Sequence, residues 1–260
     1  MAKSKTLLTL TLLTVIPESS HAAGGFTWAS SLIHKFHLPI AEHVLTFLFI
    51  SLFLVVLAFT YRQKLVSNDT PLVPDKGLTL RNLVESYGNF IMAQCKSVIG
   101  EKDGPDYFAF AGTIFLVIFT SNLSGLIPGV LPPTEFTSTT LALGVFSFAY
   151  YNLIGCKKMG TLNYLKHFAG PMWYMAILIF PIEILSNFVR PMSLALRLRG
   201  NMMGDHIVLS VFSDLVPQGV PIVFMILGML VSFVQAYVFT SLSLVYISLA
   251  SAHHDHDEHH

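Results

Sequence analysis

Apolar positions fall along this chain in long unbroken blocks, without the two-residue alternation of a half-buried strand. The first full block, 39–61, reads "PIAEHVLTFLFISLFLVVLAFTY" and stops at Arg62 and Lys64. It is long enough to cross a bilayer, which takes about 20 apolar residues. Two further blocks, 107–127 ("YFAFAGTIFLVIFTSNLSGLI") and 137–155 ("TSTTLALGVFSFAYYNLIG"), predict a second and a third span. The proline-rich "PGVLPPTEF" between them reads as a turn. Within the polar stretch 63–106, "LRNLVESYGNFIMAQCKSVIG" has helical amphipathic spacing and predicts a helix on the membrane surface or between spans.

The last part of the chain predicts two long apolar helices, 172–213 and 218–249, broken at "DLVPQGVP". Proline there ends one helix and opens the next, which gives an antiparallel hairpin. The first of the two has close to forty residues, roughly 60 Å at 1.5 Å per residue and about twice the hydrocarbon thickness. It must therefore tilt strongly, bend at a break such as Gly200 or Gly204, or do both. The predicted class is an all-α polytopic membrane protein. It has about five membrane helices plus an amphipathic cytoplasmic-side helix, and the last two membrane helices form a long, strongly tilted hairpin. Residues 24–260 read as a single membrane domain.

Basic residues orient this arrangement. Six Lys or Arg lie between 62 and 102, none between 128 and 137, and three (Lys157, Lys158, Lys166) follow the third span. The positive-inside rule makes the first and third of these connections cytoplasmic, so the N-terminus is outside and the C-terminus cytoplasmic. Residues 1–23 place Lys3 and Lys5 before a short apolar run and small residues, the layout of a secretory signal peptide or an N-terminal arm.

Composition agrees with a membrane protein and removes other classes. The chain is 53% hydrophobic and 12% charged, against about 25% charged for ordinary soluble domains. Its formal net charge of +0 provides no basic field for nucleic acid. Cys95 and Cys156 stand alone with no CxxC spacing, so they read as free thiols and no structural zinc site is expected. The His-rich tail 252–260 interleaves acids with histidines and reads as a solvated tail; no metal or other cofactor is expected. A metal-dependent membrane enzyme would need histidine pairs within the spans, and a proton-coupled membrane transporter a substrate cavity and an internal repeat. The spans hold only isolated histidines and no inverted repeat is detected, which weakens both readings and leaves the proton-coupled transporter as the alternative.

The unexplained chemistry lies in "RPMSLALRLRGNMMGDH", which keeps Arg190, Arg197 and Arg199 inside an apolar helix. An arginine at mid-membrane costs about 2.5–3.5 kcal/mol even on the lenient insertion scale. Glu183, Arg190 and Arg197 are spaced by seven, with Asn187, Ser193 or Leu194, and Asn201 at the intervening and following turns, which predicts one polar ridge. Arg199 and His206 lie toward another face. Arg197 could be a structural ion-pair arginine, an anion or lipid-headgroup site, or a fixed cation beside an ion pathway. A ridge of Glu, Asn, Arg, Ser, Arg and Asn favours a water-filled cavity.

These residues resemble a known family. "RPMSLALRLRGNMMGDH", preceded by "PIEILSNFV" and followed by "GMLVSFVQAYVFTSLSLVYIS", is similar to the signature of subunit a of the bacterial F-type ATP synthase membrane sector. "TSNLSGLIPGVLPPTEFTSTTLALGV" matches that family's second and third spans, and the resemblance covers about 40–250. It implies that the family's invariant arginine falls on Arg197, its neighbouring asparagine on Asn201 and its late glutamine on Gln235. The outer half-channel histidine or glutamate would fall on His206, with Asn122 and Glu135 near the outer opening and Glu183 and Ser193 on the cytoplasmic side. Arg199 and Asp205 depart from the family pattern, and their opposite charges predict mutual compensation. The implied role is proton translocation through two offset half-channels, which couples ion flow to rotation and ATP synthesis. The chain itself would carry no ATP chemistry. The implied partners are the c-subunit ring, the b-subunit peripheral stalk, the F1 sector through that stalk, and the lipid of a bacterial inner membrane.

Overall fold

The computed structural model describes residues 27–36, 40–67, 79–127, 129–160, 173–215 and 219–251. The candidate signal peptide, the His-rich tail, Lys166 and the centre of the "DLVPQGVP" break lie outside the described residues. Within them every regular element is helical: α1 (Trp28–Phe36), α2 (Glu42–Ser67), α3 (Leu80–Ile99), α4 (Phe108–Ser124), α5 (Thr137–Met159), α6 (Trp173–Leu215) and α7 (Val220–Ser251). Five are long and apolar enough to cross a membrane: α2, α4 with the turn before it, α5, α6 and α7. The short helix α1 was not legible in the sequence. Its backbone is tied to the α4–α5 connection, where the Trp28 amide donates to the Gly129 carbonyl at 3.0 Å.

Burial ranks the spans. In α4, 56% of the most apolar window is buried inside the chain, against 6% in α2, so α4 is the centre of the bundle and α2 its outer flank. α4 presents Phe110, Ala111, Ile114, Phe115 and Ile118 to a core completed by Ile91 and Cys95 of α3, Tyr151 of α5, Leu194 and Leu198 of α6, and Phe239, Leu244 and Ile247 of α7. The amphipathic α3 is packed on α4 and α7. Thr79 caps it, its side chain accepting the Asn82 amide at 3.3 Å. Tyr87 then donates to the Gly112 carbonyl at 2.6 Å, and the Gln94 side chain donates to Ser241 at 2.6 Å. The basic end of α5 returns to the turn after α3, where Lys158 Nζ donates to Asp103 at 2.8 Å. That bond holds the exposed Asp103 carboxyl below its ordinary range.

α6 settles one of the expected alternatives and departs from expectation in one respect. It is helical without interruption from Trp173 to Leu215, so neither Gly200 nor Gly204 breaks it, although Pro181 and Pro191 lie inside it. Pro191 has no N–H to offer the Asn187 carbonyl one turn earlier. α5 fills that gap: the Tyr151 hydroxyl lies 3.4 Å from the Asn187 carbonyl and donates to Asn187 Oδ1 at 2.5 Å. The ridge also divides. Asn187 and Leu194 are buried against the bundle, while Ser193, Arg197 and Asn201 lie on the open side.

The same junction explains Gly144. A Cβ on it would sit 2.7 Å from the Pro191 carbonyl oxygen, a backbone atom that cannot swing aside. Gly144→Ala is expected to cost about 1–3 kcal/mol by forcing α5 off α6. Thermal melting of the purified complex in detergent checks this, and an unchanged midpoint would mean the two helices are not held at this separation.

Candidate functional site

Three polar groupings follow α6 in order. They are centred on Glu183, on Arg197 and on His206, about 21 Å and about 14 Å apart at 1.5 Å per residue. The whole series spans roughly 35 Å, slightly more than the hydrocarbon core of a bilayer.

At the centre, Asn201 lies one turn beyond Arg197 and its side-chain nitrogen donates to Gln235 Oε1 of α7 at 2.6 Å. Gln235 is buried, and the amide-to-amide bond satisfies a polar group that would be costly to bury alone in an apolar helix interface. Arg197 behaves differently. It is exposed, it shares the open side of α6 with Ser193 one turn before it, and it has no hydrogen bond or ion pair with any described residue. Around it α6 exposes Phe188, Val189, Met192, Leu196 and Met203, an apolar surface about the guanidinium.

The His206 grouping joins three elements. Nδ1 of His206 lies 3.2 Å from Glu135 Oε2, and Nε2 lies 3.3 Å from the Gly125 carbonyl oxygen. Nε2 is thus at hydrogen-bonding distance from a carbonyl, while Nδ1 stands at ion-pair distance from the carboxylate. Position 125 has to be small here, because a Cβ on Gly125 would come within 2.8 Å of His206 Nε2. Glu135 is set by the turn Pro133–Glu135, in which its amide donates to the Pro132 carbonyl at 3.1 Å. Buried in the same turn, Thr134 donates to Asn122 Oδ1 of α4 at 2.7 Å. The sequence-predicted residues Asn122, Glu135 and His206 are therefore gathered at one place, from α4, the α4–α5 turn and α6.

The Glu183 grouping is looser. Glu183 Oε1 stands 3.9 Å from Arg190 Nη2, at the limit of an ion pair, and the Arg190 guanidinium lies 5.3 Å from the centre of the Tyr246 ring. Behind them Asn187 donates to Asn152 Oδ1 at 3.3 Å and accepts from Tyr151. Ser193 belongs spatially with Arg197. Sequence reasoning missed Thr134, Tyr151, Asn152 and Tyr246, which lie on other elements and carry no helical period with the α6 residues. The proline pair before Thr134 and the proline four residues after Asn187 were the available signals.

Among the described residues no cluster of three or more His, Cys, Asp or Glu could hold a metal ion.

Comparison with known proteins adds a second, independent line. The sequence pattern of the family described as ATP synthase A chain matches residues 43–248. The ATP synthase subunit a of Bdellovibrio bacteriovorus is 48% identical over 195 residues, which cover 75% of this chain and 84% of that protein. Subunit a of Sorangium cellulosum is 39% identical over 215 residues, covering 83% of this chain and 84% of the relative. Subunit a of Geobacter sulfurreducens is 45% identical over 176 residues, covering 67% and 76%.

Proposed function

The chain belongs to the ATP synthase A chain family, and on that premise we propose that it is the proton-translocating stator subunit of an F-type ATP synthase. In this reading it supplies two offset aqueous half-channels, with Arg197 as the fixed cation between them. The observation that carries the reading is the isolation of Arg197. It is an arginine exposed on an apolar helix, unpartnered among the described residues, with a polar grouping on either side along the same helix. Within a membrane such a charge calls for a carboxylate from outside the chain.

That carboxylate belongs to a ring of c subunits turning past α6. A proton entering from outside by Glu135, Asn122 and His206 reaches the Asn201–Gln235 pair and neutralises a ring carboxylate. The neutral acid then moves into lipid, where an anion would be far costlier to bury. After nearly a full turn it meets the cytoplasmic opening near Glu183 and Ser193 and releases the proton. Arg197 favours the ionised carboxylate as it passes and bars a direct route between the openings. Each charge contributes about 2.3 kcal/mol per 100 mV, so several are needed for one ATP. The chain lies in a bacterial inner membrane with its N-terminus outside and its C-terminus cytoplasmic, held against the ring by the b-subunit stalk that reaches the F1 sector.

Cross-linking in the assembled complex tests which face meets the ring. With Cys156 replaced, Ser193→Cys and Leu196→Cys are expected to form disulfides with a cysteine set beside the ring carboxylate. Ala195→Cys, on the buried side, is expected not to. Cross-links from position 195 alone would turn the ring-facing surface around and remove the role given to Arg197.

A further inference from the structure

Beside His206 lies a second feature that the half-channel reading leaves unused. Asp205 lines a cavity of about 10 Å³ together with His206, Asn122 of α4 and Ser232 of α7. That is close to the volume that holds one water molecule. Asn122 and Ser232 are almost wholly buried, at 0% and 1% exposure. Three polar atoms of the lining residues have no hydrogen-bond partner within the chain: Asn122 Nδ2, Ser232 Oγ and Asp205 Oδ2. Unmet hydrogen-bonding capacity at one buried place costs about 1–3 kcal/mol per group unless something bonds to it.

The chemistry of the three atoms selects the occupant. Thr134 gives its proton to Asn122 Oδ1 and so leaves the amide nitrogen as the group available to the cavity. A water oxygen can accept from that nitrogen, donate one proton to Asp205 Oδ2 and exchange a hydrogen bond with Ser232 Oγ. This is the three-bond environment typical of buried water. A sodium ion would meet the same N–H with the wrong polarity.

Position gives the site a role. Asp205 is one helical turn beyond Asn201, and Ser232 is one turn before Gln235, so the cavity lies between the Glu135–His206 contact and the Asn201–Gln235 bond. We propose that the cavity binds one ordered water, held by Asn122, Ser232 and Asp205. This water and the Asp205 carboxylate form the step of the proton path between those two pairs. The proposal rests on the half-channel reading above and deepens it. With Nε2 turned from the Gly125 carbonyl, which also lines the cavity, to the water oxygen, the proton on the His206 ring passes to that oxygen while one of the water's own protons passes to Asp205. The ring and the carboxylate both become neutral and the water is regenerated. Asp205 then releases its proton past the Asn201–Gln235 pair to the ring carboxylate and is an anion again.

The test uses the assembled complex in vesicles, reading proton conductance through the membrane sector at an imposed potential after removal of the F1 sector. Ser232→Val, which fills the cavity, and Asp205→Asn, which removes the acid, are each expected to lower conductance by about tenfold or more at equal amounts of assembled complex. Asp205→Glu is expected to restore at least half, a rescue that a purely structural role would not give. Ser232→Ala serves as the variant that cannot fail by overpacking, with an expected fall of about threefold from one lost water bond. An infrared difference spectrum taken on protonation adds a direct readout, a carboxyl band that shifts in Asp205→Glu. Arg197→Ala is measured in parallel. Coupled synthesis surviving Arg197→Ala would remove the half-channel reading itself. Synthesis lost there, with Asp205→Asn and Ser232→Ala both conducting as the unaltered complex does, would overturn the water link alone.

Discussion

Arg197→Ala is expected to lower voltage-driven ATP synthesis in vesicles by at least about 100-fold, equivalent to about 2.7 kcal/mol in the coupled step. ATP-driven proton pumping is expected to fall with it. The reason lies in what α6 offers a passing carboxylate. Around Arg197 the helix exposes Phe188, Met192, Leu196 and Met203, and the Asn201–Gln235 amides are already bonded to each other. Without the guanidinium a ring carboxylate would face this apolar surface as an unpaired anion and keep its proton. Release into the cytoplasmic opening would then stop. Arg197→Lys restores the charge but not the planar, forked donor set, and it is expected to recover only a small part of the activity.

A second signature separates this failure from a collapsed fold. The Glu135–His206 contact and the Tyr151–Asn187 bond do not involve Arg197, so the complex should assemble in normal amounts and passive proton conductance should persist while synthesis is lost. Arg199→Ala is the control and should leave most synthesis intact. Coupled synthesis at more than about a tenth of normal in Arg197→Ala would make the arginine a structural residue, since a tenfold effect is only about 1.4 kcal/mol.

Much of this architecture is legible in the sequence because a bilayer imposes so few solutions. Backbone groups in lipid must bond within their own helix, so a long apolar block such as 39–61 has one reading. The arginine cluster is equally visible, because a cation costs so much at that depth that its presence alone marks α6. What was not legible depends on contacts between elements. Helical spacing placed Asn187, Leu194 and Arg197 on one ridge, but which part of a ridge is covered depends on where α5 packs. That in turn depends on Gly144 meeting the Pro191 carbonyl. Nor does any period connect Thr134 to Asn122 or Asp205 to Ser232. The continuity of α6 through Gly200 and Gly204 was hidden for a related reason. Glycine lowers helix propensity by only about 1 kcal/mol, and the packing of a membrane bundle outweighs it.

His206→Ala is expected to lower voltage-driven synthesis by about 10- to 100-fold, and Glu135→Gln by a similar factor. Each residue is the counter-charge of the other at 3.2 Å, with side chains only 25% and 24% exposed. Removing the imidazole leaves the Glu135 carboxylate with no cation beside it, and removing the carboxylate leaves a protonated imidazole without its counter-charge. Breaking a largely buried pair from one side is far more damaging than removing both partners, because the remaining group carries the desolvation cost alone. The double variant His206→Ala with Glu135→Gln is therefore expected to lose clearly less than the product of the two single losses, with a coupling of about 1–3 kcal/mol. Gly125→Ala adds an independent check on geometry. It changes no charge, yet it places a methyl group 2.8 Å from the ring nitrogen, so it should slow synthesis by turning His206 away from the Gly125 carbonyl. Singles and double measured in the same vesicles decide the matter. Strictly multiplicative losses would mean that Glu135 and His206 act at separate steps and do not form one proton-accepting pair at the outer opening.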